Sequence, residues 1–122
     1  MRKKVLVVDD SASTRQSVSM VLTRSGYAVS TAVDGIDALR KISEQEIDLV
    51  ITEINMPNLD GLSFTEEIRQ QQRTCRTPVI ILTIENNDEI KGRAKKIGAS
   101  EWIEKPLKTD GLIGVVEKVL GV

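Results

Sequence analysis

A small set of polar residues stands where short apolar runs of this chain stop, and their types can act together. Asp9 and Asp10 follow Val5-Leu6-Val7-Val8. Glu53 ends the segment Asp48 to Thr52, with Asn55 two positions on. Thr83 follows Val79-Ile80-Ile81-Leu82, and Lys105-Pro106 follows Glu101 to Glu104. Three carboxylates packed together raise one another's pKa unless a cation sits among them. Oxygen donors of this kind suit Mg²⁺, which keeps several waters and takes one or two protein carboxylates. Lys105 adds an ammonium and Thr83 a hydroxyl. A divalent ion, an ammonium and a hydroxyl around a carboxylate are what a phosphoryl group requires for charge neutralisation. Taken singly, each residue has an ordinary role. Asp9-Asp10 can cap a helix, Thr83 can close a turn, Lys105 can be a solvated lysine and Glu53 a half-buried strand end. Their convergence at four strand ends carries the functional reading.

The elements that position them can be read from periodicity. Val5 to Val8 is a β-branched run, as in a strand buried on both faces. Ser11 to Ser25 has Val18, Val21 and Leu22 at helical spacing and stops at Gly26. Tyr27 to Thr31 reads as a less buried strand. Asp34 is an N-cap for a helix striped by Ile36, Leu39 and Ile42, with Asp37 in its first turn. Leu49-Val50-Ile51 is the third strand, and Met56 to Gly61 is a turn by composition. Leu62 to Gln72 reads as a helix, and Val79 to Leu82 as the fourth strand. Asn86 to Asp88 caps a helix with Ile90, Ala94 and Ile97 that Gly98 closes. Glu101 to Glu104 is a short fifth strand. Thr109 or Asp110 is expected to cap a last helix carrying Leu112, Val115, Val116 and Val119. Strict alternation predicts an α/β fold: a doubly wound, five-stranded parallel sheet with five helices on its two faces. In such a sheet ligands sit outside the carboxyl ends of the strands.

Composition bounds the possibilities. With 122 residues, 40% apolar and 29% charged, the chain is one globular domain, expected over residues 1–122 with no output domain. Seventeen basic and eighteen acidic residues give a net charge of −1, which argues against direct nucleic-acid binding. The single Cys75 excludes an internal disulfide. The absence of histidine removes Ser-His-Asp hydrolases, HExxH metalloenzymes and histidine phosphocarriers. Four apolar residues after the basic start are too few for a signal peptide or a membrane span, so a cytoplasmic location without membrane contact is expected.

The chain resembles the receiver domain of two-component response regulators, of the single-domain chemotaxis-regulator type. The resemblance rests on VLVVDDS at the first strand, DLVITEINMPNLDG around the third, PVIILT at the fourth and GASEWIEKPL at the fifth. It implies a flavodoxin-like sheet of order 2-1-3-4-5 and a signalling switch rather than an enzyme. It further implies weak Mg²⁺ binding by Asp9, Asp10, Glu53 and the Asn55 backbone carbonyl. Thr83 and Lys105 are then the phosphoryl contacts, Thr83 and Trp102 the switch pair, and the Lys105–Pro106 bond is cis. The implied partners are a histidine kinase or phosphotransfer protein, and an output partner on the surface of the fourth helix, fifth strand and fifth helix. The chain itself is expected to be a monomer or weak dimer.

Two residues depart from that family pattern. Glu53 occupies the position of the phosphoacceptor aspartate. One methylene carries its carboxylate further out by about 1.5 Å, one C–C bond, and misplacement of about 1 Å costs in-line transfer around 10²-fold. A non-phosphorylatable form is the resulting expectation, either partly activated by the longer carboxylate or left inactive with Glu53 paired to Lys105 or the metal. The fuller site favours an Asp-to-Glu substitution in a working receiver; the alternative is a natural phosphorylation-independent pseudo-receiver acting as an interaction module. Ile84, after Thr83, is bulky where the family has a small residue, and is expected to restrict access to the site or the swing of Trp102. Outside the family, a flavin carrier would need a phosphate-cradling Gly/Ser/Thr loop where Asp9-Asp10 stand. A Mg²⁺-dependent phosphohydrolase would need Asp-x-Asp after the first strand, and this chain lacks it.

Overall fold

The computed structural model describes residues 2–122. Strands β1 (Lys4–Val8), β2 (Ala28–Ala32), β3 (Leu49–Thr52), β4 (Val79–Thr83) and β5 (Glu101–Glu104) alternate with helices. These are α1 (Ala12–Arg24), α2 (Gly35–Glu44), α3 (Gly61–Arg69), α4 (Asp88–Lys96) and α5 (Thr109–Leu120). All pairings are parallel, in the order β2-β1-β3-β4-β5 expected from the sequence. The fold is the flavodoxin-like doubly wound sheet.

Side-chain alternation along β1 divides the core. Val5 and Val7 pack with Val18 and Leu22 of α1 and Leu112 and Val116 of α5. Leu6 and Val8 face the other way, toward Ile42 of α2, Phe64 and Ile68 of α3 and Ala94 of α4. Strands covered on both faces have no reason to alternate polar with apolar, so β1, β3 and β4 read as continuous apolar runs.

Short polar residues fix where helices start. Ser11 accepts from the Thr14 N–H, Asp34 from Asp37, Asp60 from Ser63, and Asn87 from Glu89 and Ile90. Each satisfies an N–H that lacks an intrahelical partner. Two expectations are corrected. Helix α3 stops at Arg69 rather than Gln72, because the Thr74 hydroxyl takes the Ile68 carbonyl at 2.7 Å and the chain turns. The Arg69 guanidinium holds that turn through the Thr77 and Gly98 carbonyls. At α5 neither Thr109 nor Asp110 is the cap; Lys108 occupies the N-cap without a side-chain bond, and Thr109 begins the helix. None of the described helices is long and apolar enough to cross a membrane.

The chain leaves β1 toward β2 on one side and toward β3, β4 and β5 on the other. That reversal opens a crevice at the carboxyl ends of β1 and β3. Asp9 and Glu53 stand at its two lips. The Asp9 N–H donates to the Ala32 carbonyl at 3.1 Å, and the Glu53 N–H to the Val8 carbonyl at 2.9 Å.

Candidate functional site

Ladder hydrogen bonds place Asp9 and Glu53 on neighbouring strands, and both are buried, at 2% and 6% exposure. Lys105 reaches them from the end of β5. Its backbone N–H donates to the Thr83 carbonyl at 2.8 Å, which anchors it to the end of β4. Its ammonium donates to Asp9 Oδ2 and Glu53 Oε1, both at 3.0 Å. Burial opposes the Lys105 charge, but the hydrogen bonds and charges of Asp9 and Glu53 outweigh it, and the ammonium titrates above its ordinary value.

Both Glu53 oxygens are engaged: Oε2 accepts the Ile54 N–H at 2.7 Å. Behind the side chain, the buried Thr52 hydroxyl donates to the Glu53 carbonyl at 2.8 Å. Gly61 approaches the same carbonyl so closely that a Cβ at that position would lie 2.0 Å from its oxygen. Only glycine fits there, which explains the Asp-Gly pair that opens α3.

Asp9 is held equally firmly. Its Oδ1 accepts the Ser11 N–H at 2.9 Å, and its carbonyl accepts from Arg15 Nη1 at 2.6 Å. Sequence reasoning did not single out Arg15; its signal is a basic residue one turn into the helix that follows the acidic pair. Asp10 and Asn55, by contrast, are exposed.

The structure therefore brings Asp9, Glu53 and Lys105 into one ion triad, with Asp10 and Asn55 on the rim. It does not gather Asp9, Asp10 and Glu53 around a common point. Among the described residues no three of His, Cys, Asp and Glu lie close enough to hold a metal ion together. The ammonium of Lys105 bridges the two buried carboxylates and leaves the triad with one net negative charge. The donors present still fit Mg²⁺, which needs only one or two protein carboxylates and fills its remaining positions with water.

Thr83 is fully buried, and its hydroxyl accepts the Glu85 N–H at 3.2 Å. Trp102 is half-buried beside α4, and its indole N–H is buried with no partner. Nζ of Lys91 lies 5.7 Å from the indole ring centre and bonds Glu104 at 3.1 Å and Asn86 at 2.8 Å. A groove of about 480 Å³ runs alongside, lined by Lys91, Ala94, Lys95, Ala99 and Trp102 among others. Ile84, the residue after β4, is 75% exposed. The Lys105–Pro106 peptide bond is cis.

Comparison with known proteins gives the family of the chain. Residues 5–117 match the response regulator receiver domain. A probable chemotaxis protein CheY of Rhizobium etli is 34% identical over 97% of this chain and 92% of its own. The chemotaxis protein CheY4 of Vibrio cholerae, crystallised at low pH, superposes with a TM-score of 0.94 at 40% identity, covering 98% of this chain and 100% of its own. The receiver domain of the sensor histidine kinase PA1611 from Pseudomonas aeruginosa, solved with a magnesium ion coordinated in its active-site cleft, superposes with a TM-score of 0.91 at 29% identity and covers both chains fully, at 100% each. The match spans every element that builds the crevice, and the chain belongs to the response-regulator receiver family.

Proposed function

We propose that this chain is a receiver switch whose acceptor position does not take up a phosphoryl group. The observation that carries this reading is that both oxygens of Glu53 are committed, one to Lys105 and one to the Ile54 N–H. An attacking carboxylate oxygen must approach phosphorus in line, and these two bonds hold a side chain one methylene longer than aspartate away from that approach. In this reading Asp9, Asp10 and the Asn55 carbonyl hold Mg²⁺, and Glu53 joins them only in exchange for its Lys105 bond. When bound, the ion supplies positive charge to the oxygens of a phosphoryl group. Thr83 and Lys105 are the phosphoryl contacts. The residues of the chemistry other than Glu53 are those the family pattern requires, which favours a substituted receiver over a pseudo-receiver.

The same contacts favour a switch left unset. A charge shifts a two-state element only by interacting differently with its two states. Glu53 places its charge on Lys105, while the Thr83 hydroxyl faces the Glu85 N–H. The partners of this reading are a histidine kinase or phosphotransfer protein at the crevice, and a helix or peptide on the α4–β5–α5 face. Lys91, Lys95 and Trp102 make that face basic and aromatic.

The test is labelling with acetyl phosphate and Mg²⁺. The protein with Glu53 is expected to remain unlabelled and Glu53→Asp to gain a hydroxylamine-labile label. Robust label on the unsubstituted protein overturns the reading.

A further inference from the structure

We infer that Asp34 and Asn58 form a clasp that sets how tightly the crevice holds a divalent cation, acting as positioning residues for the loop that carries the Asn55 carbonyl. The inference rests on the metal reading above.

The loop between β3 and α3 runs from Glu53 to Asp60 and has no ladder to hold it. Its own bonds are the Leu59 N–H to the Pro57 carbonyl at 2.8 Å and the Gly61 N–H to the Ile54 carbonyl at 2.9 Å. Two further bonds tie it to the start of α2. The Gly35 N–H donates to the Leu59 carbonyl at 2.9 Å, and Asn58 Nδ2 donates to Asp34 Oδ2 at 2.7 Å. The loop lies so close that a Cβ on Gly35 would sit 2.5 Å from the Leu59 carbonyl oxygen. Asn58 has φ +69, a left-handed conformation that Asn tolerates better than most residues.

Asp34 is a firm anchor. It is 8% exposed, and its Oδ1 accepts the Asp37 N–H at 2.8 Å. Asp37 in turn accepts the Val33 N–H at 3.0 Å, which closes the turn between β2 and α2. A chain of hydrogen bonds thus runs from the first turn of α2 through Asp34 to the exposed Asn58, three residues from Asn55. Neither residue belongs to the strand-end set. Mg²⁺ demands near-ideal octahedral geometry, so a carbonyl on a loosened loop binds it less well.

The test exchanges donor and acceptor. Asn58→Asp sets carboxylate against carboxylate in nearly the same shape and adds negative charge. Charge alone would tighten Mg²⁺; loss of the clasp weakens it, by about tenfold, the lower range for lost outer-shell partners. Asp34→Asn combined with Asn58→Asp restores the bond and the original net charge, and is expected to bind Mg²⁺ within about twofold of the unsubstituted protein. Calorimetric titration with MgCl₂ reads both. Amide hydrogen exchange without metal is the second readout: Gly35 exchanges faster in Asn58→Asp and recovers in the double variant, while Val7 is unchanged. Equal or tighter Mg²⁺ binding by Asn58→Asp, or unaltered Gly35 exchange, overturns the inference. Absence of any Mg²⁺ heat from the unsubstituted protein overturns the metal reading and this inference with it, and the exchange arm then shows whether the clasp exists by itself.

Discussion

Nζ of Lys105 lies 3.0 Å from Oε1 of Glu53, across 52 positions of sequence. The Lys105 side chain keeps 18% of its surface exposed, whereas that of Glu53 keeps only 7%. The lysine is therefore the solvent-facing member of the pair, and it closes the crevice over a carboxylate that water barely reaches.

That pairing makes stability depend on alkaline pH. The folded-state pKa of Lys105 is raised above the ordinary 10.5. The stabilisation is therefore complete below the unfolded value and is lost as pH climbs through the folded one. Lys105→Met leaves two buried carboxylates without their cation and is expected to cost about 2 kcal/mol at neutral pH. Urea unfolding from pH 7 to 11 should show the gap between the two proteins narrowing only at the alkaline end.

Gly61→Ala tests the packing behind Glu53. The added Cβ meets the Glu53 carbonyl oxygen at 2.0 Å, and backbone must shift to relieve it. Overpacking of this kind costs about 1–3 kcal/mol. Thermal unfolding is expected to show a drop in Tm, with Gly114→Ala on α5, where nothing lies within 4 Å of the new Cβ, as the tolerant control.

Trp102→Phe is expected to change stability by no more than about 1 kcal/mol. The substitution weakens the cation–π contact with Lys91, since Phe offers a smaller ring face, but also removes a buried indole N–H that has no acceptor. Phe64→Ala, in the fully buried core, should cost about 3–5 kcal/mol. Chemical denaturation of both variants decides; a loss at Trp102 as large as that at Phe64 would mean the indole N–H is bonded after all.

The sheet was legible because its central strands are apolar runs bounded by charged residues or Pro78, and because Asp34 and Asn87 are strong local caps. The end of α3 was not, since Gln70 to Gln72 are good helix formers. What stops the helix is the Thr74 hydroxyl, a contact that only the folded turn creates. The α5 start misled for the opposite reason: Thr109 and Asp110 have capping chemistry, yet the backbone leaves Lys108 at the cap. At the site, strand-end position identified Asp9, Glu53, Thr83 and Lys105. Periodicity holds no record of which oxygen faces which donor. The pairing of Glu53 with Lys105, the exposure of Ile84 and the Asp34–Asn58 bond depend on side-chain length and loop path.

The Lys41 ammonium on α2 donates to the Thr31 carbonyl. Within β2 the Ala28 N–H and the Ala32 carbonyl bond toward β1, so by strand alternation the carbonyl of Thr31 points away from the sheet. Lys41 thus occupies an acceptor on the outer margin of β2, where a strand of another molecule would otherwise add. An edge strand of five residues with one carbonyl taken and a cation beside it is a poor template for such growth. Removing the Lys41 side chain would leave that acceptor open to a strand of another molecule without touching the core.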